Sequence, residues 1–297
     1  MIWITGIAGF VGSNIANGLK ESGEIGVVGL DDFSFGDSRN IPRGVLFRNC
    51  GFELLQKGEF RESDILVHCA TANIIYAITH PIETFKINAE MTIELFKKFP
   101  GKIIYTSTSS VYGQAHMLPI HENMPIDCSN AYDQSKRIAE LYLQERGNFT
   151  TLRLSNVFGY HQRPENPYCG VIGRLMESKL SGKPFSIYGA GTATRDYTFI
   201  EDVVDAVLAA IEQEAKNTEI NIGTGIETSV LGLCDALDNL GGRPIERKFS
   251  FERPIDIIKR RVLDISRAKK LLDWRPRYTL QEGIEKTYDW FLMESKK

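Results

Sequence analysis

Cysteine is scarce and badly placed for structure-making: five residues (Cys50, Cys69, Cys128, Cys169, Cys234), odd in number and scattered, form no C-x-x-C pair. That argues against a disulfide framework or a zinc site. The five histidines do no better, since His116 and His121 are five apart and His121-Glu122 has no second His at metalloprotease spacing. No metal is expected. No apolar run approaches the ~18–20 residues of a membrane span, and no basic, cleavable hydrophobic leader precedes the first strand. The expected location is the cytoplasm, without a membrane partner. Cations are not in excess either: 35 Lys+Arg stand against 38 Asp+Glu, a net charge of −3. A general nucleic-acid binder needs a surplus to displace phosphate counterions.

What is present is the composition of an ordinary globular protein, 42% hydrophobic and 25% charged. The length gives a prior of about two domains or one large α/β unit. Strand-length apolar segments at Ile2–Thr5, Gly26–Leu30, Val45–Arg48, Ile65–Cys69, Lys102–Ser107 and Thr150–Leu154 alternate with helical stretches near 11–22, 81–98 and 132–146. Several are continuous apolar runs, as parallel strands covered on both faces require. The β-α-β-α order predicts right-handed crossovers and a doubly wound sheet. After a Pro/Gly/Asn-rich loop at 161–167 come a helix near 171–181, a strand at Phe185–Tyr188, a helix near 201–214 and a terminal helix after Thr279. The expected fold is thus α/β: a Rossmann-type doubly wound parallel sheet over 1–165, with 194–214 packing back on it, and a smaller α/β C-terminal substrate domain over 166–297. Twelve Lys/Arg against five Asp/Glu lie between Arg243 and Arg277. This local excess is either a solvated basic face or a site for an anion such as a diphosphate.

Gly6-Ile7-Ala8-Gly9-Phe10-Val11-Gly12 follows the first strand and opens the first helix. Glycines there let backbone approach a pyrophosphate, and the helix N-terminus offers free N–H groups and positive dipole. Asp31 ends the second strand 19 residues beyond Gly12, where a carboxylate accepts from ribose hydroxyls and repels a 2′-phosphate. No Lys or Arg follows before Arg39, so NAD is expected rather than NADP.

Further on, Tyr132 and Lys136 are four apart in Ser129-Asn130-Ala131-Tyr132-Asp133-Gln134-Ser135-Lys136. On a helix they share a face, and a cation beside a phenol lowers its pKa and prepares it to exchange a proton with a substrate hydroxyl. Tyr105-Thr106-Ser107-Thr108-Ser109-Ser110-Val111-Tyr112-Gly113 crowds hydroxyls at the carboxyl end of a strand, where open α/β sheets bind ligands.

Together these segments resemble the extended short-chain dehydrogenase/reductase superfamily, in its NAD-dependent nucleotide-sugar epimerase/dehydratase branch. The resemblance runs over nearly the whole chain. It includes the T-G-x-x-G-F-x-G turn at Thr5 to Gly12, the strand end Leu30-Asp31-Asp32, the Asp64, His68, Ala70 pattern, Asn88, and Leu152-Arg153-Leu154-Ser155-Asn156-Val157-Phe158-Gly159. Ile187 to Gly191, Arg195-Asp196-Tyr197, Asp202, Asn221-Ile222-Gly223 and Leu272 to Pro276 match later landmarks. The resemblance implies catalysis by Tyr132 as acid/base, Lys136 and Thr108. It implies NAD held by Gly6, Gly9, Phe10, Val11, Gly12, Asp31, Asp32, Phe33, Ser34, Cys69, Ala70, Asn88, Tyr132 and Lys136. A nucleotide-diphosphate sugar would be held by Thr108, Asn156, Val171, Arg195, Arg253 and Asp256. It also implies a homodimer formed through the helices around 85–98 and 132–146.

Dehydratases of this branch carry an Asp-Glu pair after the Thr, and the decarboxylases carry the Glu. This chain has Ser109-Ser110. A 4-epimerase needs only Tyr132, Lys136, Thr108 and a cofactor that takes a hydride and returns it, so a nucleotide-sugar 4-epimerase is expected. A dehydrogenase, reductase or dehydratase is the alternative reaction, and an NAD-binding regulatory protein the non-enzymatic one. Three further departures are Cys50 where the family's adenine-facing Asp stands, Tyr160 for a frequent Pro, and Gly170 for a substrate-loop Asn.

Overall fold

The structure, a computed structural model, describes residues 1–297 except 25, 164, 167, 168, 214, 253–257, 296 and 297. Its first half contains β1 (Ile2–Thr5), α1 (Phe10–Glu21), β2 (Val27–Asp31), β3 (Leu46–Asn49), β4 (Ile65–His68), α2 (Ile74–Thr79), α3 (Pro81–Phe85), α4 (Thr92–Lys98), β5 (Lys102–Thr108), α5 (Ala131–Arg146) and β6 (Phe149–Leu154). There follow β7 (Asn156–Phe158), α6 (Val171–Ser181), β8 (Phe185–Tyr188), β9 (Thr194–Phe199), α7 (Ile200–Glu212), β10 (Thr218–Ile222), β11 (Glu227–Ser229), α8 (Val230–Asp238), β12 (Arg247–Ser250), α9 (Ser266–Leu272) and α10 (Leu280–Glu294).

Seven parallel strands form the central sheet in the order β10-β6-β5-β4-β1-β2-β3. Successive side chains of β1 feed opposite faces: Ile4 joins the core beneath α1 and α7, Trp3 the one beneath α4 and α5. Strand order reverses beside β1, whose neighbours are β2 and β4, and the crevice at such a switch point is where ligands bind. The seventh strand, β10, comes from the half of the chain allotted by sequence to the second unit. It pairs with β6 through Ile220 and Ile222, both fully buried.

Helix α7 lies directly on α1. A Cβ at Gly18 would stand 2.2 Å from Val204 Cγ1, so only glycine lets these helices approach so closely. The single helix expected over 81–98 is instead α3, a π-helical stretch Lys86–Met91, and α4. Within it the Thr92 hydroxyl donates to the Ile87 carbonyl five residues back, 2.9 Å away, and Asn88 turns inward, buried. Two smaller sheets, β11-β9-β7 and β12-β8, complete the C-terminal part.

Candidate active site

At the end of β1 the chain turns through Gly6 (φ +71°) into α1. An added Cβ would stand 2.8 Å from Ala70 N at Gly6 and 2.2 Å from the Gly6 carbonyl at Gly12, so side chains are barred from the turn. Gly9 caps α1 with no side chain to bond the first N–H groups, which remain available to an anion. Over this turn opens a cavity of about 320 Å³, walled in part by Gly6, Gly9, Phe10, Val11, Gly12, Asp31, Asp32, Ser34, Cys69 and Ala70. Phe33 instead faces an adjoining cavity of about 360 Å³.

Asp31 is nearly buried. Its Oδ2 accepts from Ala8 N and its Oδ1 from Phe33 N, both at 2.9 Å, which ties the β2 end to the glycine turn while leaving lone pairs toward the cavity. Burial pushes this carboxyl upward against those two hydrogen bonds. Asn88 is a tether behind the wall. Its amide exchanges hydrogen bonds of 2.8 Å with both Ala72 N and Ala72 O and reaches Ser135 Oγ at 3.2 Å, joining the π-helical stretch to α5. A glycine cradle for a diphosphate, with a carboxylate one nucleoside away, fits a dinucleotide.

Thr108 ends β5, and Tyr132 and Lys136 lie one turn apart on α5. Lys136 is 2% exposed; its Nζ donates to Thr106 O at 2.7 Å and sits 4.3 Å from the Tyr105 ring centroid. Burial pushes this ammonium down to about 7, against the opposing influence of Cys69 and Glu140. Desolvation pushes the half-buried Cys69 thiol up to about 12. The expected depression of the phenol by Lys136 does not occur. Burial and the neighbouring Asp133 charge hold Tyr132 above its ordinary value.

From Thr108 a hydrogen-bonded line runs inward. Thr108 Oγ1 and Ser110 Oγ are 2.9 Å apart, and Ser110 Oγ donates to Asp133 Oδ1. Asp133, 1% exposed, also accepts from Asn130 Nδ2 at 2.7 Å and Ser129 Oγ at 3.3 Å. Ser110 spends its one hydroxyl hydrogen on Asp133, so the hydrogen between Thr108 and Ser110 is Thr108's. Thr108 is left as an acceptor toward Tyr132 and the space before it. Burial raises the Asp133 carboxyl.

One turn past Lys136, Glu140 is fully buried and meets Arg153 of β6 twice, Nε–Oε1 3.1 Å and Nη2–Oε2 2.7 Å, with Ser107 Oγ at 2.6 Å and Arg137 at 2.8 Å. Arg153 Nη1 reaches Tyr112 Oη at 2.8 Å, which donates to Asn221 of β10 at 2.8 Å. The network bolts the helix carrying Tyr132 and Lys136 across β5, β6 and β10. Sequence reading saw Arg153 and Asn221 only as landmarks and missed Glu140; a carboxylate one turn beyond Lys136 on the sheet-facing side of α5 was the available signal.

Asn156 is exposed on β7 opposite Tyr197 of β9, Val171 opens α6, and Arg195 on β9 donates to Thr194 O at 2.8 Å and Ile258 O at 2.9 Å. Arg253 and Asp256 lie outside the described residues. Much of the basic excess is spent on ion pairs: Arg247 with Asp235 and Asp238, Arg260 with Glu227 and Arg277 with Asp205, at 2.7–2.8 Å. Arg261 differs, for its Nε is buried without a partner among the described residues. Burial and the nearby Arg195 push it down to about 10, with Asp133 opposing. Sequence reading counted this arginine without singling it out. Tyr160 closes a different contact, its hydroxyl donating to Glu201 at 2.8 Å, while Gly170 is the side-chain-free cap of α6.

The model of the NAD dependent epimerase/dehydratase family matches residues 2–223. UDP-glucose 4-epimerase of Mycolicibacterium smegmatis is 33% identical over 314 aligned residues, covering 99% of each chain. UDP-glucuronic acid decarboxylase 1 of Xenopus tropicalis is 31% identical, over 99% of this chain and 72% of that one. The crystal structure of UDP-glucose 4-epimerase with UDP-glucose from Thermotoga maritima superposes with a TM-score of 0.92 at 30% identity, over 99% of both chains. This chain therefore belongs to the NAD-dependent epimerase/dehydratase family, and its cofactor and reaction are those of an NAD-dependent nucleotide-sugar 4-epimerase.

Proposed function

We propose that the chain interconverts UDP-hexoses epimeric at C4, with Tyr132 as the acid/base, Thr108 as the hydroxyl that orients O4, and Lys136 as the cation beneath them. The observation that carries this reading is the grouping of Thr108, Tyr132 and Lys136 at the carboxyl edge of β5, with Ser110 where the resemblance gives dehydratases and decarboxylases a carboxylate. Bound NAD supplies the electron-pair acceptor, and later donor, for C4. The protein's own part is to hold the O4 proton at Tyr132 and to present Thr108 Oγ1 as an acceptor.

The glycine turn, Asp31, Asp32, Ser34, Cys69 and Ala70 hold the cofactor, and Asn88 fixes the wall behind it. Asn156, the Val171 backbone N–H at the start of α6, Arg195 and Arg261 supply polar and cationic groups for a nucleotide diphosphate, with Arg253 and Asp256 assigned on resemblance alone. Labour divides accordingly: residues 1–165 with α7 and β10 carry NAD, and most of the remainder carries the sugar nucleotide. Among the described residues no helix is long and apolar enough to cross a membrane. Five free thiols fit work in the reducing cytosol.

Incubation with UDP-glucose should yield UDP-galactose without accumulating NADH, and Tyr132→Phe should cut kcat by about 10²–10⁴-fold with the fold intact. If no UDP-hexose is converted at C4 and Tyr132→Phe changes nothing, the reading fails.

A further inference from the structure

The cofactor cavity runs from the glycine turn past Asp31 to the loop after β3, where Cys50, Gly51, Phe52 and Glu53 form its wall. Asp31 pairs in register with Asn49, so the segment starting at Cys50 is the next wall beyond the Asp31 carboxylate. There Glu53 Oε2 is buried, and no donor among the described residues reaches it. An unmet buried acceptor is destabilising, more so when charged. Lys98 does not relieve it, because its Nζ donates to the Glu53 main-chain carbonyl at 3.0 Å.

The neighbouring glycine shows that the carboxylate has been given room. Gly51 has φ −67° and ψ 145°, a conformation open to any residue, so its backbone does not call for glycine. A Cβ there would stand 2.2 Å from Glu53 Oε1 and 2.3 Å from Oε2. The Glu53 head occupies the space of a side chain at 51. Cys50 beside it offers only a thiol, a weak donor and weak acceptor.

We propose that Glu53 reads the nucleobase of the cofactor, its carboxylate accepting a hydrogen bond from the exocyclic amine of the purine. The assignment rests on the NAD reading of the cavity and moves the base contact from position 50, where Cys50 cannot make it, to position 53. A carboxylate only accepts, so the site selects an aminopurine and disfavours an oxopurine, whose carbonyl lone pairs would face the same charge.

Calorimetric binding of NAD and of nicotinamide hypoxanthine dinucleotide to the full chain, freed of co-purified nucleotide, tests this without any turnover. The wild type should prefer NAD by about tenfold or more, the factor one charge-assisted hydrogen bond provides. Glu53→Gln, whose amide can donate to a carbonyl, should bring the preference near unity. Gly51→Val should do the same with Glu53 still present, by displacing its head, and it carries the test if the Gln variant does not fold. If both variants discriminate as the wild type does, the assignment is overturned while the NAD reading stands. A wild-type chain that bound neither dinucleotide would instead overturn the NAD reading, and this assignment with it.

Discussion

Asp133 shows how a single buried charge reaches the reacting end of the site without touching it. Its carboxylate collects hydrogens from Ser110, Asn130 and Ser129, and that demand fixes which way the Thr108–Ser110 hydrogen points. Replacing it with Asn keeps shape but removes the charge that enforces the direction. Asp133→Asn should lower kcat about tenfold with little change in KM, equivalent to ~1.4 kcal/mol of lost charge-assisted bonding. Steady-state kinetics check this, and an unchanged kcat would show that Thr108 is oriented by something else. The residues of this line were readable in sequence as hydroxyls at a strand end. Their direction was not, because it depends on an aspartate 23 positions away that only the tertiary fold brings to Ser110. The phenol likewise defied the local rule. Spacing put Lys136 on the face of Tyr132, but the ammonium turns to the Thr106 carbonyl, and burial dominates both groups.

At the scale of elements, α5 is held by Glu140 and Arg153. Burial acts against the Glu140 carboxylate, yet hydrogen bonds and charge from Arg153, helped by Ser107 and Arg137, hold it below the usual carboxylate range. Stability from such a group is full above about pH 4.3 and is lost as pH falls through the lower folded value. His68 adds a loss at milder acidity. Burial keeps it neutral, well below its ordinary pKa, so its contribution is full above about pH 6.5 and declines as the pH drops. Arg153→Met leaves the buried Glu140 with only Arg137 and Ser107 as partners, at a cost of up to about 3–5 kcal/mol near neutrality. Protonating Glu140 relieves that cost, so the gap from wild type in chemical denaturation should narrow toward pH 4. An equal gap at both pH values would mean that packing, not charge, joins α5 to the sheet. The elements themselves were largely legible. β1, α6 and β8 have the ends read from sequence, since parallel strands and capped helices leave strong local patterns. The break of the 81–98 helix was not, because its cause is a tether from Asn88 to distant backbone rather than any local signal.

For the molecule as a whole, the sequence conveyed two jobs for two regions but not that β10 returns to the first sheet, a long-range pairing with no local signature. It suggested a basic anion site from charge counts, and several of those charges, Arg247, Arg260 and Arg277 among them, prove to have carboxylate partners elsewhere in the fold, whereas Arg261 has a buried Nε with no partner among the described residues. Ile82 on α3 and Ile138 and Leu141 on α5 are exposed by 75%, 40% and 49%, an apolar surface on the helices expected to pair. We propose that a homodimer forms through this face, which would cover it. Ile138→Glu with Leu141→Glu should shift the sedimenting species from dimer to monomer, and a wild type already monomeric at assay concentration would refute the pairing. The central claim, reversible oxidation at C4 with the same hydrogen returned, is tested most directly by NMR of UDP-glucose incubated with the chain in heavy water. The account predicts UDP-galactose that retains protium at C4, with no net NADH. Deuterium entering C4, or a product that has lost water or a carboxyl group from its sugar, would contradict it.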